Sequence, residues 1–226
     1  MKRGNNWSKT DGDSCRVVIP EIPTEIMRSP LMKSGGFQVF EGVADEFIWQ
    51  SLYAEAIRGE KIVENSVDNP DTEEIRGGVP RRSFLNSSGG EFQRAFYNSP
   101  WMLDLLRGLT TPNVEPTGGN GTYTFYAREG DFLDVHRDII ACDVAVITCL
   151  RNEGVGVDNS GELCLYPGRL DEPISLIRAT PNEGAVKVRL EERQTIVMYG
   201  GIIPHSLLPM GNEQSRIVSV LCYRAI

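Results

Sequence analysis

Apolar positions follow two different periods along this chain. Before residue 120 the spacing is mostly helical. From Gly121 onward, short runs rich in Val, Ile, Thr and Tyr alternate with turn residues. In the first part, Phe37 to Phe40 reads as a short strand. Ala44 to Arg58 reads as a helix, with Asp45 and Glu46 in its first turn and Gly59 just past its end. Ser88 followed by Glu91 has the spacing of a capping box, with Phe92, Ala95 and Phe96 on the buried side. Ser99-Pro100 places an N-cap and a first-turn proline before Leu103, Leu106 and Leu109. Between these helices, residues 60–90 keep no period and contain several glycines and the pair Arg81-Arg82. That stretch predicts a long loop and a candidate lid. In the second part, strands are expected near 122–127, 131–137, 142–150, 161–166, 172–178, 184–190, 194–199 and 215–224. Short strands at this spacing indicate an antiparallel sandwich or barrel. The fold class is therefore mainly β with N-terminal helices (α+β). Residues 1–35, polar and punctuated by Pro20, Pro23 and Pro30, are expected as an extended or loosely ordered arm. Residues 36–226 form a single domain, with helical support over 36–115 and a β core over 116–226.

Charge narrows the partners. A formal net charge of −8 leaves no basic face for nucleic acid or an anionic membrane. No apolar run reaches the roughly 18 residues of a membrane span. Met1-Lys2-Arg3 leads into polar sequence rather than a signal peptide. The five cysteines have no CxxC spacing and four lie in strand-like runs, so they read as buried reduced thiols of a cytoplasmic protein.

The chain has only two histidines, and their neighbours matter. On a strand, residues at i and i+2 share a face, so Phe132, Asp134, His136 and Asp138 are expected together, with Arg137 opposite. Gly130 permits the turn that precedes them. Far along the chain, His205 follows an apolar strand that ends in Gly200-Gly201, and Arg216 opens the last strand. Two imidazoles and one carboxylate with open positions are the donor set of non-haem Fe(II) oxygenases. Asp134 reads as a solvated carboxylate, Arg81-Arg82 as a solvated pair, and Trp49 and Trp101 as packing residues.

Taken together, Tyr126, Gly130, His136, Asp138, Gly161-Glu162-Leu163, His205 and Arg216 resemble the Fe(II)/2-oxoglutarate-dependent dioxygenases, within them the prolyl 4-hydroxylase-like branch. The stretch from Phe37 to Ala56 is similar to that family's leading strand and helix. The resemblance implies a double-stranded β-helix, or jelly roll. It implies Fe(II) held by His136, Asp138 and His205, and 2-oxoglutarate held through its distal carboxylate by Arg216 with help from Tyr126. It implies oxidation of a substrate by O2 while 2-oxoglutarate becomes succinate and CO2. A free amino acid or small metabolite is the expected substrate; a protein side chain, or a non-catalytic cupin-type binding role, is the alternative. Two positions depart from the family pattern. Cys149 stands before Leu150 where many relatives have a tyrosine, and Val218 stands where some have a serine, with Ser219 expected to face away. Both departures shift the load for the co-substrate onto Arg216, with Tyr126 or Thr124 as assisting hydroxyls. Because Asp138 is present, the resemblance implies oxygenation rather than halogenation: halogenating relatives replace this carboxylate with a small residue.

Overall fold

Asp45 accepts a hydrogen bond from the Ile48 amide at 2.8 Å and so starts the main helix of the computed structural model, which describes residues 21–65, 80–154 and 160–225. This helix is α3 (Glu46–Arg58), and it lays the buried Leu52 and Ala56 on the back of a curled β-sheet. It is preceded by α1 (Thr24–Met27), α2 (Pro30–Lys33) and β1 (Phe37–Phe40). Then follow β2 (Ile62–Asn65), β3 (Arg82–Ser88), α4 (Glu91–Tyr97), α5 (Pro100–Leu109), β4 (Val114–Pro116), β5 (Thr122–Tyr126) and β6 (Phe132–His136). The chain continues through β7 (Val144–Glu153), β8 (Leu163–Leu165), α6 (Ile174–Ala179), β9 (Val186–Val188), β10 (Thr195–Met198), β11 (His205–Leu207) and β12 (Ser215–Ala225).

All the strand pairings are antiparallel, and the strands run in the order β1-β10-β7-β12-β5-β3-β6-β11-β8-β9, with β2 added to β3 and β4 to β12. This sheet curls into a jelly roll. One face of the wall strands meets the interior, and helices cover part of the other face, α3 on β7 and α6 on β6 among them. On β5, Tyr123 is fully buried and its hydroxyl reaches Glu55 of α3, whereas Thr122, Thr124 and Tyr126 line an internal cavity. Trp49 of α3 donates its indole N–H to the Leu150 carbonyl at 3.1 Å, fixing the helix on β7.

Several expectations change here. The stretch 172–178, read as a strand, is helix α6. Pro173 supplies the fixed φ that suits a helix start, and Ile174 and Ile177 are buried at helical spacing. Within 60–90, residues 62–65 are strand β2, and residues 82–88 are strand β3, between β5 and β6 and not a loop. Its burial does not alternate, because it pairs with β5 over one part and with β6 over another. The rest of the expected lid, 66–79, lies outside the described residues. The expected loose arm also differs: residues 24–33 form α1 and α2, with Ile26 and Leu31 buried, and Tyr199 donates to the Ser29 hydroxyl at 3.0 Å. Residues 1–20 lie outside the described residues. Helix α4 is capped differently from the expected Ser88/Glu91 box. Gly90 is the N-cap, and the amides of Gly90, Phe92 and Gln93 donate to the Glu55 carboxylate at 3.2, 2.8 and 2.9 Å. A carboxylate from another helix thus satisfies amides that α4 cannot satisfy itself.

The cysteine reading is also corrected. Cys142 and Cys222 form a disulfide between the start of β7 and the end of β12, while Cys149 and Cys164 are buried free thiols. Cys222 lies opposite Ala145 in the sheet, which brings the two sulfurs together across neighbouring strands. Among the described residues, no helix is long and apolar enough to cross a membrane.

Candidate active site

His136 ends β6 and His205 begins β11, and the two residues are partners across the antiparallel pair. Their rings lie 4.2 Å apart between centroids. The Nδ1 atoms of His136 and His205 each lie 2.9 Å from a backbone carbonyl, of Asp134 and Ile203 respectively. A carbonyl only accepts, so each Nδ1 carries the proton and each Nε2 points elsewhere. Both Nε2 atoms point at Asp138, at 3.5 and 3.6 Å from Oδ1. Ligand atoms of all three residues lie within 4.8 Å of one another, and among the described residues no other such group of three is found.

Asp138 lies past the end of β6, not on it. Its amide donates to the Gly200 carbonyl at 2.8 Å. A Cβ at position 200 would fall 1.9 Å from Asp138 Oδ2, so the glycine leaves the space that the carboxylate occupies. The electrostatics follow from burial and proximity. Burial, aided by His205, holds His136 below its ordinary pKa against the pull of Asp138. Burial opposes His205 as well, but Asp138 outweighs it and raises the His205 pKa. Burial works to raise Asp138; His205 and then His136 overcome it and hold the carboxyl well below the usual range. With protons on both Nδ1 atoms, two imidazole lone pairs and a carboxylate converge on one buried point. That donor set fits a divalent cation with open coordination positions.

The three residues line one end of a cavity of about 200 Å³ inside the barrel. Arg216, Tyr126 and Phe84 line it as well. Arg216 lies opposite Tyr126 on β5 and Asn152 on β7. Its Nη1 donates to the Gly161 carbonyl at 2.5 Å and its Nε to Asn152 Oδ1 at 3.2 Å, whereas its buried Nη2 has no partner among the described residues. Burial lowers the Arg216 pKa, yet a guanidinium stays charged in any protein setting. Neither of its acceptors is a carboxylate. Two of its neighbours are held neutral: burial pushes the Cys149 thiol up to about 12, and burial likewise raises Tyr126. A buried cation with an unused N–H fits an incoming carboxylate, the group that 2-oxoglutarate would offer there.

Not every residue expected on the metal face is there. Asp134 leaves the cavity and pairs with Arg81 at 2.7 Å and Arg178 at 3.5 Å. Leu133 lines the cavity instead. The register shifts between the pairs His205–His136 and Leu207–Leu133, so strict alternation breaks just before His136. Arg82 is not a free solvated charge either: it pairs with Glu64 at 3.1 Å. Asp131, which no spacing argument singled out, closes the turn into β6. Its carboxylate accepts from the amides of Ala127 and Arg128, both at 3.0 Å, and from the Ser83 hydroxyl at 2.9 Å. Two further residues, one against Asp138 and one on the cavity wall, were also missed. Gly200 was noted only as a strand end. Asn86 lies in the aperiodic segment, where neither motif nor alternation marks it.

No family model and no curated protein sequence matches the chain. Solved structures do. A prolyl-4-hydroxylase of Pseudomonas putida is 18% identical over 86% of this chain and 96% of its own, with a TM-score of 0.55. A prolyl hydroxylase from Trichoplax adhaerens, solved with a hypoxia inducible factor peptide, is 14% identical over 89% of this chain and 88% of its own, at a TM-score of 0.61. HygX from Streptomyces hygroscopicus, solved with nickel and 2-oxoglutarate, is 12% identical over 90% of this chain and 87% of its own, at a TM-score of 0.63; it has also been solved with hygromycin B. The chain shares the jelly-roll fold of these solved structures, and two histidines and an aspartate gather at one end of its cavity.

Proposed function

We propose that this protein is an Fe(II)/2-oxoglutarate-dependent oxygenase that hydroxylates a small molecule. The observation that carries the reading is one cavity with a His-Asp-His cluster at one end and the unpartnered Nη2 of buried Arg216 elsewhere on its wall. His136, Asp138 and His205 would hold the ferrous ion. Arg216 would hold the distal carboxylate of 2-oxoglutarate, with the neutral Tyr126 phenol beside it. Bound there, the ion supplies the chemistry that activates O2 and couples decarboxylation of 2-oxoglutarate to oxidation of a C–H bond.

The chain's own contribution is positioning and exclusion of water. The backbone carbonyls of Asp134 and Ile203 lock both imidazoles in the tautomer that offers Nε2. Asp138 brings one negative charge, so a site with a divalent ion keeps a net positive charge toward an anionic co-substrate. Leu163, Leu190 and Leu207 supply apolar walls that keep the co-substrate pocket dry. The cavity, about 200 Å³ and lined mainly by apolar side chains, favours a small molecule over a bulky protein segment. Anaerobic titration of the protein with Fe(II) and then 2-oxoglutarate tests the reading. A visible charge-transfer band and O2-dependent succinate release are expected; absence of both overturns it.

A further inference from the structure

The cavity contains more polar chemistry than iron and 2-oxoglutarate use. Asn86, on β3, lines it, and its buried side-chain Oδ1 has no hydrogen-bond partner among the described residues. A buried acceptor without a donor is costly unless a ligand completes it. The register places Asn86 away from the Arg216 end. Arg216 and Tyr126 are partners across β12 and β5, whereas Asn86 lies opposite Thr124, whose β12 partner is Val218, one pleat further on. Continuing in that direction, β12 reaches Cys222, opposite Ala145. Ala145 and Asp138 both approach Gly200, so this is the metal end. Asn86 therefore lies between the co-substrate anchor and the metal. An amide oxygen there cannot serve the 2-oxoglutarate carboxylates, since both are acceptors.

Charge is the second observation. Among the described residues lining the cavity, the ionisable groups besides the neutral Tyr126 are His136, Asp138, His205 and Arg216. The proposed function commits all four. None remains to pair with an ammonium or a second carboxylate, and an unpaired buried charge is strongly disfavoured. The remaining wall near the metal is uncharged, with Ala145, Met198 and Val220 beside the hydroxyls of Thr122 and Ser206.

We infer that the substrate is an uncharged, largely apolar small molecule whose hydroxyl or N–H donates to Asn86, rather than a zwitterionic amino acid. The inference rests on the proposed oxygenase reading and narrows it. Asn86 is then a specificity residue: it touches substrate and neither metal nor co-substrate.

The test uses the full chain loaded with Zn(II) and 2-oxoglutarate, so that binding is read without turnover. Three probes of similar size are compared by ligand-observed NMR: cyclohexylmethanol, its methyl ether and cyclohexylglycine. The alcohol should bind about tenfold more tightly than the ether, the scale of one hydrogen bond, and more tightly than the zwitterion. In Asn86→Leu the preference for alcohol over ether should vanish, while 2-oxoglutarate binding stays unchanged and reports an intact pocket. Asn86→Asp should instead admit cyclohexylmethylamine, as a carboxylate would pair with its ammonium. Equal binding of alcohol and ether to the unmutated protein, tighter binding of cyclohexylglycine, or no binding of any probe at millimolar concentration overturns the inference. A preference that survives in Asn86→Leu also overturns it. Failure of the unmutated protein to bind 2-oxoglutarate at all would instead remove the oxygenase reading beneath it.

Discussion

Two carboxylates, Glu55 and Asp138, are held in opposite ways. Glu55 sits in the seam between α3, α4 and β5, and donors saturate it: three backbone amides and the Tyr123 hydroxyl at 2.7 Å. Those hydrogen bonds outweigh the burial that would raise its pKa and leave it lowered. Asp138 faces two imidazole nitrogens at 3.5 and 3.6 Å, longer than a good hydrogen bond, with both Nδ1 protons already used elsewhere. The seam is complete without anything further. The cluster turns three ligand atoms toward one another, an arrangement that a cation could complete. A buried acid that the chain fully satisfies supports the fold, and one that the chain leaves facing other acceptors is set up for a ligand.

Breaking the comparison at the site should produce the largest effect on activity and little on stability. His205→Ala or Asp138→Ala should abolish iron-dependent 2-oxoglutarate turnover. Metal affinity should fall by more than the 10- to 100-fold that loss of a supporting partner typically costs. Thermal unfolding of the metal-free protein should change little, because these groups crowd one another when no metal is bound. Turnover at the unmutated level in His205→Ala would sink the assignment.

Arg216→Ala comes next. Losing a charge-assisted contact to a carboxylate in a closed site should cost about 2–5 kcal/mol of 2-oxoglutarate affinity. Iron binding, measured in the absence of co-substrate, should be nearly unchanged. Arg216→Lys should recover only part of the loss, since an ammonium lacks the planar fork. A co-substrate titration identical to that of the unmutated protein contradicts the role.

At the seam the expected pattern reverses. Glu55→Ala leaves the amides that open α4 without their acceptor and should cost about 2–4 kcal/mol of stability in denaturant titration, with bound-metal spectra unchanged. The sign of its pH dependence follows from its lowered pKa. The Glu55 contribution is fully present above the ordinary carboxylate pKa and is lost as pH falls through the lower folded value. Acid unfolding of the unmutated protein should therefore show a stability loss in that window that Glu55→Ala lacks.

The smallest effect sharpens the comparison most. Gly200→Ala places a Cβ where Asp138 Oδ2 now sits. The carboxylate must move, so metal affinity should fall by about tenfold, the lower end of the range for supporting partners. Global stability should drop by about 1 kcal/mol or less, because the displaced atom is the end of a side chain. If stability falls sharply and metal affinity does not, Gly200 serves packing rather than the site.

How much of this was legible in the chain differs from element to element. His136, Asp138 and His205 could be picked out because the chain has only two histidines and one is followed at i+2 by an acid. Their convergence was legible as well, since an antiparallel β core brings chain-distant strands side by side. Helix α3 was readable from Asp45 and Gly59, because caps act locally. Arg216 was placed by its position on the last strand, and the structure puts it in the cavity with one N–H unused.

What the chain could not announce was set by contacts between distant segments. Strand β3 looked like a loop because its two ends serve different neighbours, so no single alternation marks it. Asp134 left the metal face because of a register shift that depends on β11, which lies far along the chain. The α4 cap came from Glu55 on another helix, and so hid behind a plausible local Ser88. Cys142 and Cys222 pair because β7 and β12 are neighbours, not because of their spacing. Asn86 became visible as an unsatisfied acceptor only once β3 had its place in the wall. The sequence alone determined the donor types, their order and the local starts of helices, which depend on side-chain identity and short-range periodicity. The tertiary structure decided register, burial and which polar atoms go without a partner, because each of those is set by what a distant strand brings alongside.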